Sequence, residues 1–223
     1  MSILILAAAG GCAAPPASIG LDGRLAIFEP GIGFASEIPP DPWTMNDAAQ
    51  RGGAALGARD GVPALRLAGG RNEPAFGLRM STPLLATPYL HWGWQVDPAS
   101  AGDTPLRLVI AFRGGRTDSA RLGDRIGAWL DTELPAYDRA YEIAWGNPPG
   151  AVVAAKDGRP RFVLRGGPAA AGRWWVETAD LSELYRRTWP ADEAVAAKIV
   201  YVGVVGGDRV GDVAYLAELI LSK

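Results

Sequence analysis

Tyr89-Leu90-His91-Trp92-Gly93-Trp94-Gln95-Val96 is eight residues of unbroken alternation. Successive side chains of a strand point to opposite faces. Leu90, Trp92, Trp94 and Val96 therefore share one face, and Tyr89, His91, Gly93 and Gln95 share the other. Two large aromatics on the apolar face are read as core, because rings of that size gain most from burial. The single histidine, His91, is expected to point outward. The alternation returns in Arg107-Leu108-Val109-Ile110-Ala111-Phe112, where Leu108, Ile110 and Phe112 share a face. Further strand-like runs lie at Arg24–Phe28, 63–67, 75–80, Leu106–Arg113, 141–145, 151–155, 162–165, 174–178, 198–205 and 213–221, separated by Gly, Pro or Asp. About eleven strands without long helices between them predict an all-β fold. The expected architecture is an antiparallel β-sandwich, jelly-roll in type and similar to galactose-binding-like modules. Residues 24–223 are read as a single such domain.

Two stretches carry helical spacing instead. In 118–130, Leu122, Ile126, Trp129 and Leu130 recur at i, i+4, i+7 and i+8. In 180–187, Asp180 stands as an N-cap with Glu183 three residues on, the pattern of a capping box. Both are expected as short helices at the periphery of the sandwich.

The N-terminus reads Ile3-Leu4-Ile5-Leu6-Ala7-Ala8-Ala9-Gly10-Gly11-Cys12. A short apolar run ending in small residues and a cysteine resembles a bacterial lipoprotein signal. On that reading residues 1–12 are the signal segment, 13–23 a tether, and Cys12 carries a lipid that anchors the protein to a membrane. The expected location is the periplasmic face of the outer membrane. An ordinary signal cut near Ala14, which would discard Cys12, predicts a periplasmic or secreted protein, and a buried N-terminal strand is a third reading.

Composition excludes several classes. Net charge is −2 from 22 basic and 24 acidic residues without long runs, so nothing forms the clustered basic face of a nucleic-acid binder. One cysteine rules out an intramolecular disulfide. One cysteine and one histidine exclude the familiar zinc ligand sets and a cysteine–histidine nucleophile pair. Gly206-Gly207 follows a strand but precedes no helix, which argues against a nucleotide-binding loop.

The order of the remaining motifs resembles the DUF3047 family, bacterial proteins of unknown function. Trp92-Gly93-Trp94-Gln95-Val96 is similar to that family's W-x-W-x-V strand, and Leu106–Phe112 stands where it has R-V-Y-V-x-F. Gly123-Asp124-Arg125, Leu134-Pro135-Ala136-Tyr137, Tyr141–Asn147, Gly172-Arg173-Trp174-Trp175 and the Asp180 to Arg187 segment follow in family order. Near the C-terminus the family's T-D-x-D-N-T signature is replaced by 205–212, which keeps at most Asp208 and Asp212.

Candidate site residues follow from position. Of the adjacent Trp174 and Trp175, one must face outward on a strand and offers a platform for a sugar ring. Trp145, before Gly146-Asn147, sits at a strand end beside a loop, so Trp145 and Asn147 join them as ligand-binding candidates. Asp208 and Asp212 in a Gly-rich turn are oxygen donors of the kind Ca2+ accepts. Glu142, Glu177 and Asp97 are the carboxylates available for glycoside chemistry, which needs two acids about 5 to 10 Å apart. No motif enforces that spacing, so no catalytic residue is assigned. The expected function is a monomeric, non-catalytic binding protein of the cell envelope, for carbohydrate or another envelope polymer. A carboxylate-dependent enzyme acting on polysaccharide, or a purely structural lipoprotein, are the alternatives. Metabolic labelling with an acyl probe is expected to mark Cys12. A protein that takes up no label and fractionates as soluble would end the lipoprotein reading.

Overall fold

The computed structural model describes residues 19–29, 42–100, 103–117 and 135–223. Cys12 and the predicted 118–130 helix lie outside them. The described strands are β1 (Arg24–Phe28), β2 (Trp43–Met45), β3 (Ala54–Arg59), β4 (Val62–Ala68), β5 (Ala75–Pro83), β6 (Tyr89–Val96) and β7 (Leu106–Arg113). They continue with β8 (Arg139–Trp145), β9 (Val152–Ala154), β10 (Pro160–Arg165), β11 (Trp175–Asp180), β12 (Lys198–Gly206) and β13 (Val213–Ser222). Among the described residues one α-helix, α1 (Leu181–Thr188), joins β11 to the segment before β12, besides a π-helical turn at Ala49–Gly53 and a 3-10 turn at Leu84–Ala86.

The strands form two sheets. The smaller runs β11-β6-β13-β4-β3, with β1 also paired to β13, and the larger runs β2-β5-β12-β7-β8-β10-β9. Together they make the β-sandwich of jelly-roll type that the alternation predicted. One pair departs from antiparallel: β10 runs parallel to β8, because the chain leaves β8, descends along the outer edge as β9 and returns as β10 between them.

The core is made by the odd or even residues of each strand. Leu90, Trp92, Trp94 and Val96 of β6 meet Leu106, Leu108, Ile110 and Phe112 of β7 and Tyr141, Ile143 and Trp145 of β8 in one cluster. Trp92 and Trp94 are fully buried, their ring centres 5.3 Å apart and nearly perpendicular. Trp94 in turn meets Trp145 edge to face at 5.6 Å, so a column of three indoles bridges the two sheets. On the outward face of β6, His91 bonds Thr178 Oγ1 at 2.9 Å and Ser222 Oγ at 2.8 Å, tying β6 to both neighbours.

Two strands carry no signal in the sequence. β3 is Ala54-Ala55-Leu56-Gly57-Ala58-Arg59, poor in the β-branched and aromatic residues that favour a pleated surface. It is a strand because the Asp60-Gly61 turn folds it back on β4, both residues having positive φ (53° and 78°), as a two-residue hairpin requires. β2 is only three residues, set against β5. Asp180 caps α1 as expected, its Oδ1 accepting from the Glu183 N–H at 2.9 Å and from Ser182 Oγ–H at 2.7 Å, but the Glu183 carboxylate turns to Arg186 at 3.0 Å instead of closing a capping box. Leu181 and Tyr185 bury the inner side of α1, and the Tyr185 ring packs against Phe112 and Trp189.

Trp92→Ala is expected to cost about 3 to 5 kcal/mol, the range for deleting a fully buried aromatic. Chemical denaturation measures it. A loss below about 1 kcal/mol would show that the indole column does not hold the sheets together.

Candidate functional site

The sandwich leaves β8 with two different faces. Tyr141, Ile143 and Trp145 enter the core, whereas Ala140, Glu142 and Ala144 face outward from the larger sheet. On that outer face Tyr201 lies flat over Gly77 and Gly203. A Cβ at either glycine would stand 2.4 Å from the Tyr201 hydroxyl, so only glycine permits this packing. Burial lifts the Tyr201 hydroxyl pKa to about 12.

At one end of the same face lies a polar cavity of about 440 Å³. Its floor is Glu142, whose side chain is 1% exposed. Arg161, directly across the β10–β8 pairing, donates through Nε to Glu142 Oε2 at 2.6 Å. Arg159 Nη2 donates to Oε1 at 3.1 Å, and Arg107 Nε on β7 lies 3.3 Å from the same oxygen. Three guanidiniums thus surround one buried carboxylate. Two further acids balance them: Glu73 takes a two-pronged contact from Arg107 at 2.6 and 3.1 Å, and Asp157 stands 2.9 Å from Arg159. Arg161 also donates through Nη1 to Thr104 Oγ1 at 3.2 Å.

Local sequence explains the placement. The β9–β10 turn closes on Gly158 (φ 82°), whose N–H bonds the Ala155 carbonyl, and the Asp157 carboxylate accepts from the Arg159 N–H. That turn delivers Lys156 to the rim and Arg159 to the floor. Across the mouth, Lys156 Nζ meets Asp208 Oδ2 of the β12–β13 loop at 2.7 Å. Lys156 holds the Asp208 carboxyl below the usual carboxylate value, and Asp208 raises the lysine in return. Burial pulls the Arg159 guanidinium below its ordinary value, and the charges of Glu142 and Asp157 restore it only in part. Arg107 feels the same burial, but Glu142 and Glu73 outweigh it and hold it above its ordinary value.

The residues singled out from sequence fall elsewhere, except Glu142, which is the cavity floor, and Asp208 at its mouth. Trp145 is a core residue, 3% exposed and packed on Trp94; its indole has no free face for a ligand, which corrects the reading from its strand-end position. Asn147 is exposed on the loop after β8. Trp175 turns inward against the core, its Nε1 donating to the Ala170 carbonyl at 2.9 Å. The Arg165 guanidinium sits 3.6 Å from its ring centre, on the face a sugar would need. Trp174 is half-buried, its Nε1 donating to the Arg59 carbonyl at the tip of the β3–β4 hairpin. The same tip places Asp60 on Gln95 and Arg59 over the Tyr215 ring, so it folds over the outer face of the smaller sheet.

Asp208 reaches the cavity, but as the partner of Lys156. Asp212 is buried, its side chain close against Gly69 and Gly207. Among the described residues no group of three His, Cys, Asp or Glu side chains could hold a metal ion, and Asp208 is committed to Lys156. Glu177 ion-pairs with Arg165, and Glu142 with Arg161. The two acids are thus tied to different arginines of β10, and their strands β8 and β11 belong to different sheets. Arg107, Arg159 and Arg161 belong to no motif. Their one trace in the sequence is Arg107, a lone charge within the apolar run 106–112.

No protein-family model matches the chain, and no curated protein matches it in sequence. Solved structures do. Endoglucanase 3 of Trichoderma harzianum, from family GH12, is 9% identical over 90% of this chain and 96% of its own, with a TM-score of 0.44. Endoglucanase cel12A of Rhodothermus marinus is 12% identical over 81% of this chain and 96% of its own, with a TM-score of 0.45. The K3 cleaved adhesin domain of Lys-gingipain from Porphyromonas gingivalis w83 is 11% identical over 89% of this chain and 98% of its own, with a TM-score of 0.40.

Glu142→Gln is expected to cost about 3 to 5 kcal/mol at neutral pH, because it removes the one carboxylate shared by three buried or half-buried guanidiniums. Urea denaturation of the variant checks this. A variant as stable as the parent would show that solvent already neutralises the cluster.

Proposed function

We propose that the protein is a non-catalytic binding protein of the cell envelope, that its ligand is a carbohydrate or envelope polymer, and that the ligand enters the cavity above Glu142. The observation that carries this is the state of Glu142. A general acid or base must exchange its proton with a substrate. Glu142 has both oxygens engaged by guanidiniums and is closed to solvent. Three of the other four lining acids are likewise held, Glu73 by Arg107, Asp157 by Arg159 and Asp208 by Lys156, and Asp103 stands at the rim. Ion-paired side chains fixed in this way are a rigid surface for hydrogen bonding. Its volume is within the usual range for small-ligand sites, here enough for a short stretch of a polymer. The envelope location rests on the Cys12 reading, and the alternation of charge at the rim suits a hydroxyl-rich partner better than an apolar one.

A panel of oligosaccharides tests the proposal, with calorimetry for binding and a reducing-end assay for cleavage. The expected result is binding that Arg161→Ala abolishes, with no new reducing ends after prolonged incubation. Cleavage that disappears in Glu142→Gln would instead make the protein a carboxylate-dependent enzyme. Absence of binding to every glycan would leave the structural-lipoprotein reading.

A further inference from the structure

We propose that the ligand of this cavity is acidic, a sugar carrying a carboxylate or a phosphate, and that its anionic group replaces Asp208 on Lys156 and is read by Arg161 and Arg71. The inference rests on the reading of the cavity as the binding site and adds the chemical class of what enters it.

The argument is a count of hydrogen-bonding capacity. Ionised acids only accept, and guanidinium and ammonium groups only donate. Four of the five lining acids are committed to cations. Both oxygens of Glu142 take guanidinium donors, both oxygens of Glu73 take Arg107, and Asp157 and Asp208 each hold a cation. Asp103, at the rim, is the one lining acid with no cation beside it among the described residues. The donors are not spent. Arg161 uses Nε on Glu142 and Nη1 on Thr104, which leaves Nη2 without a protein acceptor among the described residues. Its side chain is 19% exposed and so is reachable from the cavity. Lys156 has three N–H donors and one of them is taken, by Asp208 Oδ2, on a side chain 87% exposed. Arg71 is exposed and has no ion-pair partner among the described residues.

A neutral sugar hydroxyl both donates and accepts, so it fills fewer of these free donors than an anion does, and Asp103 is the one lining acid standing clear of a cation to take its proton. A carboxylate or phosphate only accepts, and planar guanidiniums match its oxygens two at a time. Asp208 already shows what the rim accepts: it is the chain's own carboxylate resting on Lys156. Both partners of that pair are largely exposed, so its displacement by an incoming anion costs little.

Calorimetry at low ionic strength with trigalacturonate, its full methyl ester, glucose 1-phosphate and inorganic phosphate tests the inference. The acid or the sugar phosphate is expected to bind roughly tenfold more tightly than the methyl ester, with the preference lost as added salt screens the exposed charges. Whichever of the two binds names the source of the charge. Lys156→Ala is expected to weaken binding about two- to fivefold. Asp208→Asn, which removes the competing carboxylate, is expected to strengthen it by a similar factor. Both substitutions fall on exposed side chains, and thermal melts matching the parent confirm that folding is intact. Methyl ester and acid binding equally, with Asp208→Asn changing neither, would overturn the acidic class while leaving the cavity reading in place. Inorganic phosphate binding as tightly as glucose 1-phosphate, with no response to trigalacturonate, would mean an adventitious ion only. Binding of every probe unchanged by Arg161→Ala would overturn the cavity reading together with the inference.

Discussion

Strand β8 carries both halves of this molecule, because the pleat sends its side chains alternately to opposite faces. Trp145 leaves the inner face and meets Trp94, which itself stands against Trp92, so the two sheets are joined through a column of perpendicular indoles. Three residues earlier on the same strand, Glu142 leaves the outer face and collects Arg107, Arg159 and Arg161. A slip of one residue in the pairing of β8 would place the carboxylate in the core and the indole in the cavity. Register therefore fixes the core and the charged floor together. The cost of either error makes the other correct.

The charged floor is an expensive arrangement. Removing guanidiniums and a carboxylate from water is repaid only when the groups meet in good geometry with their remaining capacity satisfied. Here the contacts come from three adjacent strands, β7, β8 and β10, from Asp157 and Arg159 in the β9–β10 turn, and from Glu73 in the loop before β5. Such a network is cooperative, since each guanidinium is oriented by a carboxylate that is itself oriented by another. Stability alone gives little reason for it, because an apolar cluster of the same volume serves as well in many proteins. A fixed set of donors facing a cavity is what the arrangement supplies.

The outer face of the smaller sheet is organised by different means. His91 links three strands through two hydroxyls, and the β3–β4 tip lies over Gln95, Tyr215 and Trp174. The aromatics that looked most available for a sugar are thus engaged by arginines or backbone carbonyls. Trp175 under Arg165 is the clearest case, since a stacked guanidinium takes the place of a ligand.

About eleven strand-like runs without long helices between them pointed to the sandwich, and alternation in 89–96 by itself determined the burial of Trp92 and Trp94 and the outward turn of His91. A pattern of period two reports which face is apolar without reference to any other strand. The Asp180 cap was legible for the same reason, being complete within three residues. β3 was not legible, because its Ala and Gly residues adopt a strand only through pairing with β4. Nor was the cavity. Glu73, Arg107, Glu142 and Arg161 are separated by 34, 35 and 19 residues, and nothing local distinguishes them from solvated charges. Only the strand order β7-β8-β10, with its one parallel pair, brings them to a common point. Ion pairing depends on distance in space, and that distance is set by tertiary pairing alone.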